Sequence, residues 1–287
     1  MKHEVAKTIP PQHQKAQTGI ESLIIRPGHS RADCSVGSGK LEGKAALITG
    51  GDGGIGRAVA IAFAEEGADV AFVYLGEHGK ALETAYAVEA IGRKCVRIAA
   101  DVGDESLCRD AVEEVISQFG RLDILVNNAD EQHPQENLED VTEAQLLRTF
   151  QSNVFSMFYL TKAALPYLKK GSRVINTASV AAYRGSPHLL DYSATKGAIV
   201  AFTRSLSLAL IDRGILVNAV APGPIWTPLM PPTFKPEKVT LFPADTPMKR
   251  PGQPDEIAQC YVFLASAEST YMSGQVLHPN GGEIING

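Results

Sequence analysis

The residues best suited to chemistry are a tyrosine and a lysine, Tyr192 and Lys196. They stand four positions apart, so they share one face of a helix. A phenol ordinarily loses its proton at about pH 10, which is too high for acid–base work at neutral pH. A neighbouring ammonium group favours the phenolate and lowers that pKa, so that the phenol can protonate a developing alkoxide or accept an alcohol proton. A surface pair can show the same spacing by chance, so the pattern needs context.

Two further polar residues supply part of that context. Ser179 follows an apolar, strand-like run and precedes Tyr192 by thirteen residues. Its hydroxyl could hydrogen-bond a substrate carbonyl oxygen and polarise it, or it could serve an ordinary turn. Asn153 lies within an otherwise apolar helical run, where a buried amide needs partners. It could bind a water molecule that links to Lys196, or it could connect backbone groups only.

A glycine-rich turn is a candidate phosphate site. An apolar run at 45–49 leads into seven residues, 50–56, of which five are glycine, and a helical pattern follows. The unpaired N–H groups and the dipole at a helix start favour an anion, and glycine lets the backbone approach a pyrophosphate. The stretch also fits a tight turn that binds nothing. It matches two registers of the dinucleotide fingerprint, Gly51-x-Gly53-x-x-Gly56 and Thr49-Gly50-x-x-x-Gly54-Ile55-Gly56.

The elements that would position these residues alternate along the chain. Strands are predicted at 45–49, 69–75, 95–100, 122–127, 173–178, 215–220 and 275–278. Helices are predicted at 55–66, 79–91, 104–119, 142–169, 191–212 and 254–266. This alternation predicts an α/β fold, a single Rossmann-type, doubly wound parallel sheet of about seven strands with helices on both faces. Ligands bind such sheets at the carboxyl ends of the strands.

The residues after the second strand bear on the choice of nicotinamide cofactor. Many NAD enzymes carry an acid there for the ribose 2′-hydroxyl, whereas a nearby arginine suits a 2′-phosphate. This chain has Tyr74 and Leu75 at those positions, with Glu77 and Lys80 within reach. The sequence therefore leaves the choice between NAD and NADP open.

The next two strand ends also carry polar residues. Asp101 could accept a hydrogen bond from an adenine amino group, or it could cap the helix that begins near residue 104. Asn127 and Asn128 follow the fourth strand, where asparagine commonly serves a turn.

Taken in order, these motifs resemble the short-chain dehydrogenase/reductase family over about residues 41–285. The resemblance rests on Thr49-Gly50-x-x-x-Gly54-Ile55-Gly56, Asp101-Val102, Asn127-Asn128-Ala129, Asn153, Ser179, Tyr192-x-x-x-Lys196 and Pro222-Gly223-Pro224-Ile225-Trp226-Thr227. It implies an NAD- or NADP-dependent oxidoreductase that moves a hydride between nicotinamide and a carbonyl or alcohol substrate. The implied catalytic tetrad is Asn153, Ser179, Tyr192 and Lys196. The implied cofactor contacts are Thr49, Gly50, Asp52, Gly53, Gly54, Ile55, Gly56, Tyr74, Leu75, Asp101, Val102, Asn128, Ala129, Tyr192, Lys196, Pro222, Gly223, Ile225 and Thr227.

Three segments resemble one bacterial branch of that family, described as glucose/ribitol dehydrogenase-like or general stress oxidoreductases. They are the long amino-terminal segment, the glycine-rich turn and residues 244–248. One position departs from the family, which usually has glycine after Asn-Asn-Ala, whereas this chain has Asp130. Aspartate tolerates a left-handed backbone better than most residues. Its carboxylate would repel a phosphate if it pointed inward.

Residues 224–250 are rich in proline and predict a substrate loop or lid. Several nearby side chains are candidates for a substrate pocket, although plain packing explains each of them as well. They are Tyr183, His188, Trp226, Met230 and Phe234.

Composition narrows the class of protein. The chain of 287 residues fits one catalytic domain, 41–287, after an extended arm at 1–40 that has six Lys and Arg against three Asp and Glu. The net charge of −5 gives no indication of a nucleic-acid or anionic-membrane partner. No stretch is judged apolar and long enough to span a bilayer, and the four cysteines and seven histidines lack metal-ligand spacing. We therefore expect a cytoplasmic protein without a metal site or membrane partner.

Two functions of different classes fit these residues. The first is the oxidoreductase already described, and the alternative is a non-catalytic cofactor-binding sensor or scaffold on the same fold. The complete tetrad favours the enzyme, because binding alone does not require it. The family resemblance further implies a homo-oligomer, specifically a tetramer.

Overall fold

The computed structural model describes residues 37–227 and 246–285. Most of the predicted arm and the middle of the predicted substrate loop, with Met230 and Phe234, lie outside the described residues. Seven strands form the sheet, namely β1 Ala45–Thr49, β2 Asp69–Tyr74, β3 Cys95–Ala99, β4 Ile124–Asn127, β5 Arg173–Thr177, β6 Leu216–Val220 and β7 Val276–Leu277. All seven predicted strands are confirmed, with ends that move by at most two residues.

The helices lie between the strands as predicted. They are α1 Gly54–Glu65, α2 His78–Ala90, α3 Glu105–Phe119, α4 Glu143–Phe150, α5 Ser156–Ala164, α6 Ala181–Arg184, α7 Leu190–Leu210 and α8 Pro254–Ala265. The single helix predicted at 142–169 was wrong, because a π-helical turn at Gln151–Phe155 separates α4 from α5. The helix also ends at Ala164, shortly before Pro166, since proline restricts the residue before it. π-Helical turns such as Gln151–Phe155 occur often at functional sites.

The sheet is parallel throughout, with the order β3-β2-β1-β4-β5-β6-β7. The winding direction reverses between β1 and β4, where Ala46 is paired with Ile124. Connections leave the carboxyl ends of these two strands in opposite directions, so a crevice opens between them. The doubly wound Rossmann-type fold predicted from the sequence is confirmed.

Helices cover both faces of the sheet, and every residue of β1 is buried as a result. Ala46 and Ile48 pack into the apolar cluster formed with α1, α2 and α8. Leu47 points the other way, into the cluster formed with α3 and α5. Because successive side chains of a strand alternate between faces, burial on both sides requires the continuous apolar run seen at 45–48.

The helix α7 corrects one expectation. Together with the turn that follows, Leu190–Arg213 has the length and composition of a membrane-spanning helix, with a mean hydropathy of 1.3. The judgement that no stretch meets these criteria was therefore wrong. In this fold α7 packs against β5, β6 and α4, and it buries the polar side chains of Asp191 and Lys196. One face of α7 therefore belongs to the core of the domain.

Candidate active site

The glycine-rich turn connects β1 to α1 at the crevice. Gly50 has a φ of +67°, which residues with side chains rarely adopt. A Cβ atom at Gly51 would lie 2.4 Å from the Phe72 Cβ, and one at Gly56 would lie 2.0 Å from the Gly50 oxygen. Packing alone thus requires glycine at these positions. Gly53, the N-cap of α1, makes no side-chain hydrogen bond, so no cap of that kind covers the helix start that would receive an anion.

A cleft of about 300 Å³ runs from this turn across the ends of the central strands. Most of the predicted cofactor residues line it, namely Gly50, Asp52, Gly53, Gly54, Ile55, Tyr74, Leu75, Asp101, Val102, Asn128, Ala129 and Thr227. Others predicted for that role lie outside this lining, namely Thr49, Gly56, Tyr192, Lys196, Pro222, Gly223 and Ile225. The uncapped helix start, the close backbone approach at the glycines and the cleft beside them fit a dinucleotide.

The end of the cleft after β2 is acidic. Burial raises the pKa of Asp52 to about 6, and the charge of Glu77 adds to the rise against an opposing backbone hydrogen bond. Lys80 also lines the cleft, but its Nζ donates to Glu83 at 2.6 Å. A ribose 2′-substituent lies at this position in dinucleotide-binding folds. The side chains present there contain more acid than base.

Thr49 and Asn128 form hydrogen bonds with each other's backbone and so stabilise the floor of the cleft. The Thr49 hydroxyl accepts hydrogen bonds from the backbone N–H groups of Asn128 and Ala129, both at 2.8 Å. The Asn128 amide donates to the Thr49 carbonyl at 2.9 Å. The Thr177 hydroxyl donates to the side-chain oxygen of Asn128 and shares a second hydrogen bond with the Tyr261 hydroxyl. These side chains tie β1, β4 and β5 together.

An arginine that the sequence did not indicate crosses the cleft wall. Arg148, on α4, lies 2.6 Å from Asp101 and donates from Nε to Glu131 at 3.0 Å. Burial alone would raise the pKa of Glu131, but hydrogen bonds from His133, Arg148 and Ser152 outweigh it and lower the pKa to about 2. The cluster fixes the loop after β4 against α4.

Asp101 does not cap α3, which settles one alternative left by the sequence. The cap is Asp104, whose carboxylate accepts from the backbone N–H groups of Ser106 and Leu107. Asp101 instead accepts from Gly103 at 2.8 Å and pairs with Arg148. Its carboxylate lines the cleft, where the adenine interpretation places it.

Tyr192 and Lys196 lie together at the start of α7, and both are buried. The Lys196 Nζ lies 5.1 Å from the centre of the Tyr192 ring. The same Nζ donates to the Thr177 carbonyl at 3.0 Å and forms an ion pair with Asp130 Oδ2 at 3.0 Å. The predicted side-by-side arrangement is thus present, with an added carboxylate.

Ser179 and Asn153 reach this pair from two other elements. The Ser179 hydroxyl, just after β5, accepts from the Ala181 N–H at 3.1 Å and interacts with the Tyr192 hydroxyl. Asn153 lies in the π-helical turn. Its amide accepts from the Glu131 N–H and donates to the Glu131 carbonyl, both at 2.9 Å. The side chain of Asn153 therefore connects backbone groups of the loop after β4, and its amide also donates to the Thr195 hydroxyl at 3.2 Å.

The pKa of Tyr192 contradicts the expectation from sequence. We expected the Lys196 ammonium and a positively charged nicotinamide ring together to lower it, whereas within the protein itself burial and then the negative charge of Asp130 raise the pKa well above 10, and only Ser179 opposes them. The physical reason is that Asp130 lies in contact with Lys196 and offsets its charge. This direction favours the protonated phenol over the phenolate.

The loop after β6 closes the site from a third side. Gly223 approaches Asn280 so closely that a Cβ atom would lie 2.7 Å from the Asn280 Cα. Trp226 is fully buried, so it packs rather than lines a pocket. Tyr183 contacts His278, with ring centres 4.7 Å apart, away from the cleft lining. His188 is half-exposed beside Glu136.

Three residues of the site gave no usable signal in the sequence. Arg148 and Glu131 are ordinary charged residues of a helix and a loop, and Thr177 takes part through its backbone carbonyl. Only their position in the fold brings them to the cleft. Across residues 37–227 and 246–285, no group of three or more His, Cys, Asp or Glu could hold a metal ion.

Comparisons with known proteins show what the chain is similar to. The family model described as enoyl-(acyl carrier protein) reductase matches residues 50–283. General stress protein 39 of Bacillus subtilis is 58% identical, over 97% of this chain and 98% of that protein. The NADPH-dependent aldehyde reductase 1, chloroplastic, of Arabidopsis thaliana is 51% identical, over 96% and 98%. These relatives confirm the predicted resemblance to the stress-related branch.

Solved structures are similar to this chain in fold and in sequence. A blue fluorescent protein from a metagenomic library, in complex with NADPH, superposes with a TM-score of 0.80 at 36% identity, over 85% of this chain and 98% of that one. With the parallel sheet, the glycine-rich cleft and the buried Tyr192–Lys196 pair already described, the chain belongs to the short-chain dehydrogenase/reductase family of NAD(P)-dependent oxidoreductases.

Proposed function

We propose that this protein reduces a small carbonyl compound with a nicotinamide cofactor and also runs the reverse oxidation of the alcohol. The observation that carries the proposal is the buried Tyr192 phenol, with Ser179 beside it and Lys196 next to the cleft that fits a dinucleotide. When bound, the cofactor supplies or accepts the hydride at its nicotinamide ring. No finding favours the sensor or scaffold alternative.

Each residue of the tetrad has a distinct role in this proposal. The Tyr192 hydroxyl gives its proton to the carbonyl oxygen during reduction and takes a proton back from the alcohol during oxidation. The Ser179 hydroxyl orients the carbonyl through a hydrogen bond. Lys196 would bind a ribose hydroxyl of the cofactor, and its Nζ lies 5.1 Å from the centre of the Tyr192 ring. Asn153 is a positioning residue that fixes the loop carrying Asp130.

The glycine-rich turn and the start of α1 would hold the pyrophosphate, and the loop 222–227 would hold the nicotinamide amide. Asp52, within that turn, and Glu77, after β2, favour the cofactor without a 2′-phosphate, because like charges repel. Two proteins similar to this chain are described with NADPH, one as an aldehyde reductase. We infer that aldehydes are the first substrate class to try.

The experiment is a steady-state screen of purified protein with NADH and NADPH against aldehydes, ketones and sugar alcohols. The proposal predicts loss of nicotinamide absorbance that depends on both enzyme and carbonyl compound. If both cofactors bind but none is oxidised with any substrate, a binding-only function replaces the proposed one.

We further propose a homotetramer located in the cytoplasm. Support for association comes from large apolar side chains that are at least partly exposed on α5, the π-helical turn and α7, including Phe155, Phe158 and Leu208. Support for a reducing compartment comes from the free thiols of Cys95, Cys108 and Cys260. Light scattering that gave only the monomer mass at working concentration would contradict the tetramer.

A further inference from the structure

The carboxylate of Asp130 occupies a place that the motif normally leaves to glycine. It follows β4 on the loop that lines the cleft. Its Oδ2 lies 3.0 Å from the Lys196 Nζ, and the two side chains are 15% and 1% exposed. Its Oδ1 is buried and has no hydrogen-bond partner. The backbone of Asp130 is not left-handed, since Lys249 is the one non-glycine residue with positive φ among those described.

We propose that Asp130 is a positioning residue that neutralises Lys196 and thereby keeps the Tyr192 phenol protonated, so that the enzyme reduces carbonyl compounds over a wider alkaline range. The inference rests on the proposed oxidoreductase function and assigns the protonated state to the Tyr192 phenol of that active site. It differs from the expected arrangement, in which an unopposed Lys196 stabilises the phenolate.

The geometry supports this role because the interaction is short and buried. Two opposite charges 3.0 Å apart, away from water, attract far more strongly than an exposed pair. Once Lys196 is paired in this way, its charge no longer favours a phenolate on Tyr192. The negative charge of Asp130 then acts on the phenol directly and raises its pKa, in addition to the rise caused by burial.

The other charged groups around the pair are directed elsewhere. Glu131, the next residue, faces Arg148. Burial is the main cause that raises the pKa of Asp130, Lys196 and the Tyr192 hydroxyl oppose the rise, and the charge of Glu131 adds to it least. Asp191, beside Tyr192 on α7, accepts from Gln145 and Thr149 of α4 and from the Tyr192 N–H.

The remaining neighbours are neutral at working pH or contribute backbone. Tyr261, from α8, shares a hydrogen bond with the Thr177 hydroxyl, and burial raises its pKa above the ordinary value. The Thr177 carbonyl accepts from Lys196. Within the part of the chain that the structure describes, Asp130 is the carboxylate in ion-pair contact with Lys196.

The sign of the pH effect follows directly. Reduction needs the phenol, so its rate holds until the pH passes the pKa of Tyr192 and then falls. Oxidation needs the phenolate, so its rate rises with pH toward the same value. Removing the carboxylate restores the pull of Lys196 and moves both curves to lower pH.

The test compares wild type with D130N, which keeps the shape and loses the charge, and D130E, which keeps the charge. E139Q removes an exposed carboxylate from the same segment and serves as the control. The kcat/KM for both directions is measured with a slow substrate from about pH 7 to about pH 11.5. For D130N we expect a downward shift of about one to two pH units, and for D130E and E139Q a profile close to wild type.

A second readout does not depend on turnover. The ultraviolet absorbance of tyrosinate, taken as the difference between a protein and its Tyr192→Phe variant, reports ionisation of Tyr192 alone. We expect this signal at lower pH in D130N than in wild type. If D130N is poorly folded, D130G replaces it, because the family accommodates glycine there.

The outcomes separate the two proposals. If wild type transfers no hydride to any carbonyl compound, the proposed function fails, while the tyrosinate titration still tests Asp130. If wild type is active and both the kinetic profile and the tyrosinate signal of D130N superpose on those of wild type, the role of Asp130 is overturned and the function stands.

Discussion

Asp130 and Glu131 are adjacent carboxylates on one loop, and they behave in opposite ways. Their side chains are similarly buried, with 15% and 11% exposed. Burial raises the pKa of Asp130, whereas donors from three side chains lower the pKa of Glu131 to about 2. The number of hydrogen-bond donors, not the depth of burial, makes the difference. Glu131 stabilises the loop, and Asp130 is available to tune the chemistry beside it.

The largest effect on stability is expected from removing the partner of Glu131. An Arg148→Met change leaves two carboxylates, Glu131 and Asp101, without their cation. Breaking a buried ion pair on one side is strongly destabilising, although the partial exposure of Arg148 reduces the cost. We expect a loss of about 2–3 kcal/mol in the free energy of unfolding at pH 7, measured by urea denaturation.

The matched control is Arg109→Met on α3, where the arginine is 60% exposed and meets Asp110 at 3.5 Å. Exposed pairs of this kind contribute less than about 1 kcal/mol. Equal losses in the two variants would show that Arg148 does not hold the loop, and the contrast between the two carboxylates would lose its basis.

A smaller effect separates the two carboxylates directly. The pKa of Glu131 is lowered from 4.5 to about 2 in the folded protein, so its contribution to stability is present above pH 4.5 and is lost as the pH falls toward 2. We expect E131Q to cost about 2 kcal/mol at pH 7, a cost that disappears over that acid range. D130N should cost about 1 kcal/mol or less, because burial raises the pKa of Asp130, so that its charged form adds little stability, and because the Asn amide oxygen and the Thr177 carbonyl can still accept from Lys196.

Urea denaturation of both variants across the acid range checks this expectation. The contrast between Asp130 and Glu131 is contradicted if D130N lowers the free energy of unfolding more than E131Q does. It is also contradicted if E131Q lowers that free energy by the same amount at every pH. Either result would make Asp130 the structural member of the pair.

The smallest effect concerns Asp52, a carboxylate in the glycine-rich turn that lines the cleft. Its pKa is raised to about 6, so it becomes charged as the pH rises through that value. A charged Asp52 repels a 2′-phosphate, and NADPH should then lose about fivefold in affinity relative to NADH, which corresponds to about 1 kcal/mol.

Fluorescence titration of both cofactors at about pH 5 and about pH 7.5 measures the ratio. The D52N variant should show a smaller change, and Glu89→Gln on the exposed face of α2 should follow wild type. A ratio that changes equally in all three proteins would mean that the phosphate's own titration accounts for it.

The fold could be predicted closely because its signals are local. Short apolar runs such as 45–48 indicate strands buried on both faces, and the glycine spacing at 50–56 indicates the turn that follows. The four-residue spacing of Tyr192 and Lys196 likewise needs only the helix geometry of α7. These predictions depend on neighbours in the chain.

The electrostatics could not be predicted, because they depend on contacts between distant residues. Asp130 meets Lys196 across 66 positions of sequence, and Arg148 reaches Asp101 across 47. The π-helical turn that aims Asn153 at the Glu131 backbone breaks the helical period instead of continuing it. The expected fall in the pKa of Tyr192 is absent because burial, and after it the charge of the distant Asp130, raises this pKa.

The most direct test of the central claim is a single-turnover measurement of hydride transfer at pH 7. The enzyme is mixed with reduced cofactor and an aldehyde found in the screen, and wild type is compared with Tyr192→Phe. If Tyr192 is the proton donor, the rate falls by about 10² to 10⁴-fold while cofactor affinity is retained. Hydride transfer by Tyr192→Phe at the wild-type rate would contradict the account.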